Sequence, residues 1–296
     1  MSIVYIDQSK KEYTKAQFIR YFEAKAQRTI RKYNMLEKGD KILVAMSGGK
    51  DSVATAHIFN KILSKRGEKL QALLIDEGIP GYRDLTIKDA KKFCKDENIE
   101  LTIVSTKKEF KFGLMDALKK LKDNPCTICG TMRRYLLNKY AQKLKATKVA
   151  TGHNLDDEAQ TVLMNQYKGN VSLSSKLGPI TGIVEHEKFI KRIKPLYFLT
   201  EKEVTIYTTL KGFQVNFIEC PNAKDNFRST IRDQLNDLEH RFAGTKNGLI
   251  NSFIEQLPKL RKTKLNAILN CKSCSEPSTK DICTMCIILK KYDSKV

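Results

Sequence analysis

Short unbroken apolar runs alternate along the chain with stretches whose apolar residues recur at helical spacing. Ile42 to Met46, KLQALLID (69–76), ELTIVST (100–106) and TKVATG (147–152) are each brief and bounded by turn formers, which predicts buried strands. QVNFIEC (214–220) reads as a last strand of the same kind. VATAHIFNKILSKRG carries Val53, Ala56, Phe59 and Leu63 near helical spacing. Helices are also expected roughly from Asp84 to Asn98, over LNKYAQKLKA (137–146) and over EVTIYTTLKGF (203–213). An amphipathic helix from about Lys15 to Asn34 offers Phe18, Tyr21, Phe22 and Ile30 to one face. Strands alternating with helices predict an α/β fold, a parallel sheet with helices on both faces. Ligands in such sheets sit at the carboxyl ends of the strands, so Ser47, Asp76 and Gly152 should converge on one crevice. The chain divides into a helical N-terminal segment (1–39), an α/β domain (40–225) with a loop-rich rim at 171–195, a basic helical extension (226–268) and a separate tail (269–296).

Charge narrows the function. The 296 residues hold 54 Lys and Arg against 33 Asp and Glu, a formal net charge of +21 spread along the whole chain. A Lys-rich thermophile surface would balance Lys with Glu, which this chain does not do. The excess predicts a polyanionic partner, nucleic acid above all. No apolar stretch reaches the roughly 18 residues of a membrane span, and the N-terminus lacks a signal-peptide core, so a cytoplasmic protein without membrane contact is expected. Eight cysteines in a reducing compartment suggest metal or redox chemistry rather than disulfides.

Ser47-Gly48-Gly49-Lys50-Asp51-Ser52 joins the first predicted strand to the first predicted helix. Strand, Gly-Gly turn and helix point backbone N–H groups at an anion, and glycine lets backbone approach a phosphate without a Cβ in the way. Lys50 adds a point charge, and Ser47 and Ser52 add hydroxyls. The spacing is not that of Walker A, which needs four residues between its first Gly and the Gly-Lys. In the tail, Cys271-x-x-Cys274 and Cys283-x-x-Cys286 offer four thiolates at the spacing of a tetrahedral structural zinc site. Too few apolar residues lie between the pairs to fold without metal.

Cys126-x-x-Cys129, with Cys220 far downstream, admits a redox pair, half a zinc site, a buried core, or three ligands of a [4Fe–4S] cluster with one iron left open. Cys94 has no partner by spacing and reads as a buried helix residue. Arg133 and Arg134 open a helix after Gly130 and could grip phosphates or form a solvated basic face. In GHNLDD (152–157), Asp156 is a candidate N-cap, while paired carboxylates near a triphosphate could hold Mg²⁺. His153, and His57, His186 and His240, read as structural.

SGGKDS (47–52) resembles the signature of the PP-loop ATP pyrophosphatase superfamily. Together with PCxxCGxxRR (125–134), TGHNxDD (151–157), ECP (219–221) and the basic helices that follow, it resembles the TtcA/TtuA family of tRNA 2-thiolation enzymes over about residues 25–290. The tail zinc module is similar to that of the TtuA-like branch. One departure is that residues 1–40 hold neither Cys nor His, so the N-terminal zinc finger usual in that branch is not expected. The resemblance implies ATP on Met46, Ser47, Gly48, Gly49, Lys50 and Ser52, with Ile75 near the adenine and Gly152 near the ribose or base. Lys50 and Arg133 would neutralise phosphates, and Asp51 or Asp157 would hold Mg²⁺ or orient the uridine. The C2 oxygen of a tRNA uridine would be adenylated with release of pyrophosphate. Sulfur carried on a cluster held by Cys126, Cys129 and Cys220 would then replace it. The sulfur donor would be sulfide or a ubiquitin-like thiocarboxylate protein, and homodimerisation is common in the family. Rival readings are a persulfide thiolase without a cluster, a PP-loop amidation or lysidine-type enzyme, and a non-catalytic zinc protein that binds RNA.

Overall fold

The computed structural model describes residues 3–6, 11–184, 186–223, 226–264 and 267–294. The chain enters through an antiparallel hairpin, β1 (Ile3–Ile6) and β2 (Lys11–Thr14). The N-terminal segment is therefore not purely helical as expected. The KEYT strand half-buries only Tyr13 and Thr14, which is too short an alternation to stand out. Thr14 then caps α1 (Lys15–Lys32) in a reciprocal box with Gln17. Phe18, Phe22, Ala26 and Ile30 of α1 are buried, and the Phe22 ring stacks on Tyr207 at 4.0 Å.

The α/β body follows as β3 (Ile42–Ala45), α2 (Lys50–Ser64), β4 (Gln71–Asp76), α3 (Arg83–Asp96) and β5 (Glu100–Ser105). Two short helices, α4 (Thr106–Phe110) and α5 (Leu114–Lys120), lead to α6 (Pro125–Lys143), β6 (Lys148–Ala150), α7 (Leu155–Tyr167) and α8 (Val171–Ser174). β7 (Ile180–Thr181), β8 (Lys191–Ile193) and α9 (Glu201–Lys211) complete the body. The extension is α10 (Phe227–Arg241) and α11 (Thr245–Lys264), and the tail folds as β9 (Leu269–Asn270), β10 (Pro277–Ser278) and α12 (Thr284–Asp293).

The main sheet has six strands in the order β5-β4-β3-β6-β8-β7, parallel except for β7 at the edge. The period-2 alternation of strands splits its residues between two cores. Ile42, Val44, Ala72 and Leu74 pack with α1, α2, α3 and α9, while Leu43, Leu73, Ile75 and Val149 pack with α5, α6 and α12. A third cluster, built on Leu155, Val162, Tyr197, Ile231 and Ile250, seats α10 and α11 against α7.

Two further expectations are corrected. Residues 171–195 are not merely a rim, because β7 and β8 lie there and extend the sheet past β6. Residues 214–220 form no strand. Their backbone is held instead by a side chain, since the Asn216 amide N–H and Nδ2 both donate to Asp89 Oδ2, at 3.0 and 2.7 Å. A carboxylate on α3 has replaced the sheet ladder as the partner of that segment.

Candidate functional site

The crevice forms where β3, β4 and β6 end. Met46 continues β3 by one bond, its N–H donating to the Leu73 carbonyl at 2.9 Å. The chain then folds around Ser52. Ser47 N–H and Oγ donate to Ser52 Oγ at 3.1 and 3.0 Å, and Ser52 Oγ donates to the Gly49 carbonyl at 2.8 Å. Gly48 sits at φ +83°, and a Cβ there would stand 2.2 Å from the Thr86 carbonyl oxygen. Gly152, at the end of β6, would drive a Cβ to 2.7 Å from the Asp51 backbone. Neither position can be other than glycine without moving backbone. Gly49 caps α2 with no side chain on the first-turn N–H groups, which leaves those donors and the positive end of the helix dipole for an anion.

Lys50 points into the same space, with its Nζ 3.1 Å from Asp51 Oδ2 and 2.9 Å from Glu201 Oε1. Burial alone would lower its pKa, but these two carboxylates outweigh it and raise it. Asp51 accepts from Asn154 Nδ2 at 2.9 Å. Burial, against the pull of Lys50, raises its pKa, and the Asp157 charge adds to the rise. Asp157 is raised too, first by burial, with Arg228 opposing.

The expected capping by Asp156 is not found. Asn154 is the N-cap of α7 and Asp157 completes its capping box, whereas Asp156 pairs with Lys246 of α11 and accepts from Glu201 N–H at 2.8 Å. Arg228 of α10 reaches Asp157, Gln160 and Thr161. The extension is thus bonded to the helix that carries GHNLDD. The His153 residue keeps an exposed face, its Nδ1 lies 2.9 Å from Thr151 Oγ1, and desolvation of the ring with the Lys194 charge pulls it down to about 4.

Asp76 does not enter the crevice as expected, since it closes its own turn by accepting from Gly78 N–H at 2.9 Å. The next residue does. Glu77 is 0% exposed and Arg83 4%, and Arg83 NH2 stands 2.5 Å from Glu77 Oε2. Arg83 NH1 donates to the Ser47 carbonyl at 3.0 Å. Arg133 Nε lies 3.4 Å from Glu77 Oε1, and Cys129 Sγ lies 4.0 Å from that same oxygen. Glu77 therefore joins the Ser47–Ser52 loop on one side to the cysteine-bearing helix on the other. Its sequence signal was only its place just past a buried strand. Ile75 lies on β4 facing the α6 core.

Cys126 and Cys129 lie in the first turn and a half of α6, which Pro125 opens and Asn124 caps. Cys126 is exposed, and Cys129 and Cys220 are half-buried. Burial pushes the Cys129 thiol up to about 11, with Arg133 opposing and Glu77 and Cys220 adding. Cys220 packs against the same core as Cys129 and Tyr82, without the strand expected to bring it there, and its charge acts on both. Cys94 is buried in the opposite core beside Phe93, as expected. Among the described residues no tail cysteine joins them, and three soft thiols are the kind of donor set that would leave one iron of a cluster free of protein sulfur.

In the tail, Cys271, Cys274, Cys283 and Cys286 bring all four sulfurs within 4.8 Å of one another. Cys271 and Cys286 are 3.9 Å apart, and Cys274 and Cys283 3.7 Å. Tetrahedral Zn–S bonds of about 2.3 Å put sulfurs about 3.8 Å apart. Backbone N–H groups of Ser273 and Cys283 donate to Cys271 Sγ at 3.4 and 3.2 Å and, against burial, bring it down to about 6. The donor set and its spacing fit one metal ion.

Residues 21–239 match the family model of the PP-loop domain. The chain is 38% identical over 270 residues to a tRNA-5-methyluridine(54) 2-sulfurtransferase of Pyrococcus horikoshii, covering 91% of this chain and 84% of that protein. It is 33% identical over 291 residues to the tRNA 2-thiolation protein NcsA of Haloferax volcanii, covering 92% of this chain and 90% of that one. Among solved structures it superposes on the U34-tRNA thiolase NcsA from Methanococcus maripaludis with its [4Fe-4S] cluster. The TM-score is 0.84 at 32% identity, covering 98% of this chain and 93% of that one.

Removing Glu77 strands a buried guanidinium. Glu77→Ala is expected to cost about 3–5 kcal/mol in urea unfolding. Asp157 carries a raised pKa and so costs stability when ionised. Asp157→Asn should raise the melting temperature at pH 7, and the gain should shrink as pH falls through the raised value and vanish below about 3.9, where the unfolded carboxyl is also protonated. Melting curves from pH 3 to 8 check this.

Proposed function

The chain belongs to the PP-loop family of tRNA 2-thiolation enzymes, and we propose that it is an ATP-dependent sulfurtransferase that replaces the C2 oxygen of a tRNA uridine with sulfur. The observation that carries this reading is the Arg83–Glu77–Arg133 bridge, which ties the Ser47–Ser52 loop and the helix bearing Cys126 and Cys129 to one buried carboxylate.

ATP spans Met46, Ser47, Gly48, Gly49, Lys50 and Ser52, its adenine towards Ile75 and its ribose or base towards Gly152. The free N–H groups at the start of α2 and the Lys50 ammonium take the phosphates, and Arg133 neutralises them from the α6 side. Burial raises the cost of ionising both Asp51 and Asp157, the Asp157 charge adds to it at Asp51, and Mg²⁺ between them and the triphosphate would relieve it. Alternatively, one of these carboxylates orients the uridine. The C2 oxygen bonds to the α-phosphorus and pyrophosphate leaves, which turns a poor leaving group into AMP. Sulfide then bonds to C2 and AMP departs with the old oxygen, so no electrons are gained or lost. Bound on Cys126, Cys129 and Cys220, a [4Fe–4S] cluster would supply a soft iron without protein sulfur, suited to carrying sulfide. The chain's own part is positioning and charge stabilisation at the phosphates. Cys271, Cys274, Cys283 and Cys286 hold Zn²⁺ as a structural knot beneath α12.

The relatives named above act at two tRNA positions, 54 and 34. Nucleoside mass spectrometry of tRNA from a strain lacking this protein should show loss of a single 2-thiouridine, and its fragment gives the position. Unchanged thiolation sinks the reading. Cys220→Ala should abolish thiolation. Protein purified anaerobically that is colourless and iron-free yet still thiolates would replace the cluster by a persulfide. Metal analysis should find zinc bound to the tail, and Cys271→Ser should lose it and lower the melting temperature.

A further inference from the structure

Most cations around the crevice are matched. Arg83 and Arg133 meet Glu77, Lys194 meets Glu158, and Arg228 meets Asp157. Two guanidiniums are not, and they are neighbours. Arg134 of α6 folds back along its own helix onto Gly130, where a Cβ would stand 3.1 Å from NH1 and 3.5 Å from NH2. Arg192, at the centre of β8, donates from NH2 to the Arg134 carbonyl at 3.4 Å and lies 5.9 Å from the centre of the Phe189 ring. That ring fills the space over Gly182, where a Cβ would come within 2.4 Å of it. The Arg134 head thus lies over the Gly130 backbone, and the Arg192 head is backed by an aromatic ring and a carbonyl, all of them neutral groups. No carboxylate faces either head among the described residues.

Each also feels the next charge along. Burial and Arg133 lower the Arg134 pKa, and burial and Arg134 bring Arg192 down to about 10. Two like charges thus stand near one another, an arrangement that an incoming anion would relieve. β8 is two strand spacings, roughly 10 Å, from the strand that feeds the Ser47–Ser52 loop. The pair is thus set apart from the loop that would hold the ATP phosphates, and its Arg134 member lies on the same helix as Cys129, whose charge acts on it.

We propose that Arg134 and Arg192 clamp one phosphodiester of the RNA strand that carries the reacting uridine. The proposal rests on the tRNA reading above and adds the subsite. Guanidinium forks suit phosphate oxygens. Every uridine within a tRNA is flanked by phosphodiesters, so a fixed pair beside the cysteines would set how far the base can reach into the crevice.

The test is tRNA binding to the full-length chain between 50 and 200 mM salt for Arg134→Gln, Arg192→Gln and the double variant. About tenfold weaker binding is expected from each single change. Because both heads serve one phosphate, the double variant should lower the slope of log K against log salt by only about one. Arg134→Lys should keep the slope but lose affinity. ATP affinity and the iron chromophore should be unchanged. Wild-type affinity and slope in the double variant would overturn the clamp and leave the thiolase reading standing. So would an effect confined to ATP affinity or iron content, which would assign the guanidiniums to another anion. A wild-type chain that binds no tRNA would overturn both.

Discussion

A single carboxylate out of reach of water sets the geometry of this molecule. Glu77 has no exposed surface, and its ionised form is tolerable only while Arg83 and Arg133 stay in place. Arg83 is tied in turn to the Ser47 carbonyl, and Arg133 to the helix that bears Cys126 and Cys129. The Glu77 carbonyl also accepts from Leu114 N–H at 2.9 Å, which anchors the start of α5. Apolar packing alone would let the loop and the helix slide by fractions of an ångström. A desolvated charge network penalises that slack, and a reaction between groups held on two elements needs its absence.

The same logic extends outward. α10 and α11 bury Ile231, Leu235, Ile250 and Phe253 against α7, and the buried Lys246–Asp156 pair and the more exposed Arg228–Asp157 pair link them to it. The basic extension is therefore seated on the acid pair of the crevice itself. Its position and the orientation of Asp157 are one structural variable.

Much of this was legible in the residues. The unbroken run Ile42–Met46 followed by SGGKDS could hardly be anything but a buried strand feeding a phosphate loop, and the paired CxxC spacing of the tail fixed its sulfurs before any fold was known. What the residues hid was long-range partnership. QVNFIEC has the composition of a strand, yet Asp89 satisfied the Asn216 amide instead of a ladder. Asp76 and Glu77 are adjacent acids at a strand end, and only the turn at Gly78 decides which faces inward. β7 and β8 are two and three residues long, below the length at which alternation can register. Asp156 looks like a cap until Lys246, ninety positions later, claims it.

Lys50 shows what such partnership means for the nucleotide. Its ammonium is neutralised by Asp51 and by Glu201, whose side chain is 46% exposed. An arriving phosphate meets a cation that is borrowed rather than bare, and the carboxylate it displaces has water to return to. On the proposed function, the loop would stand folded and electrically quiet, and admitting ATP would exchange one anion for another instead of building a charged site from nothing.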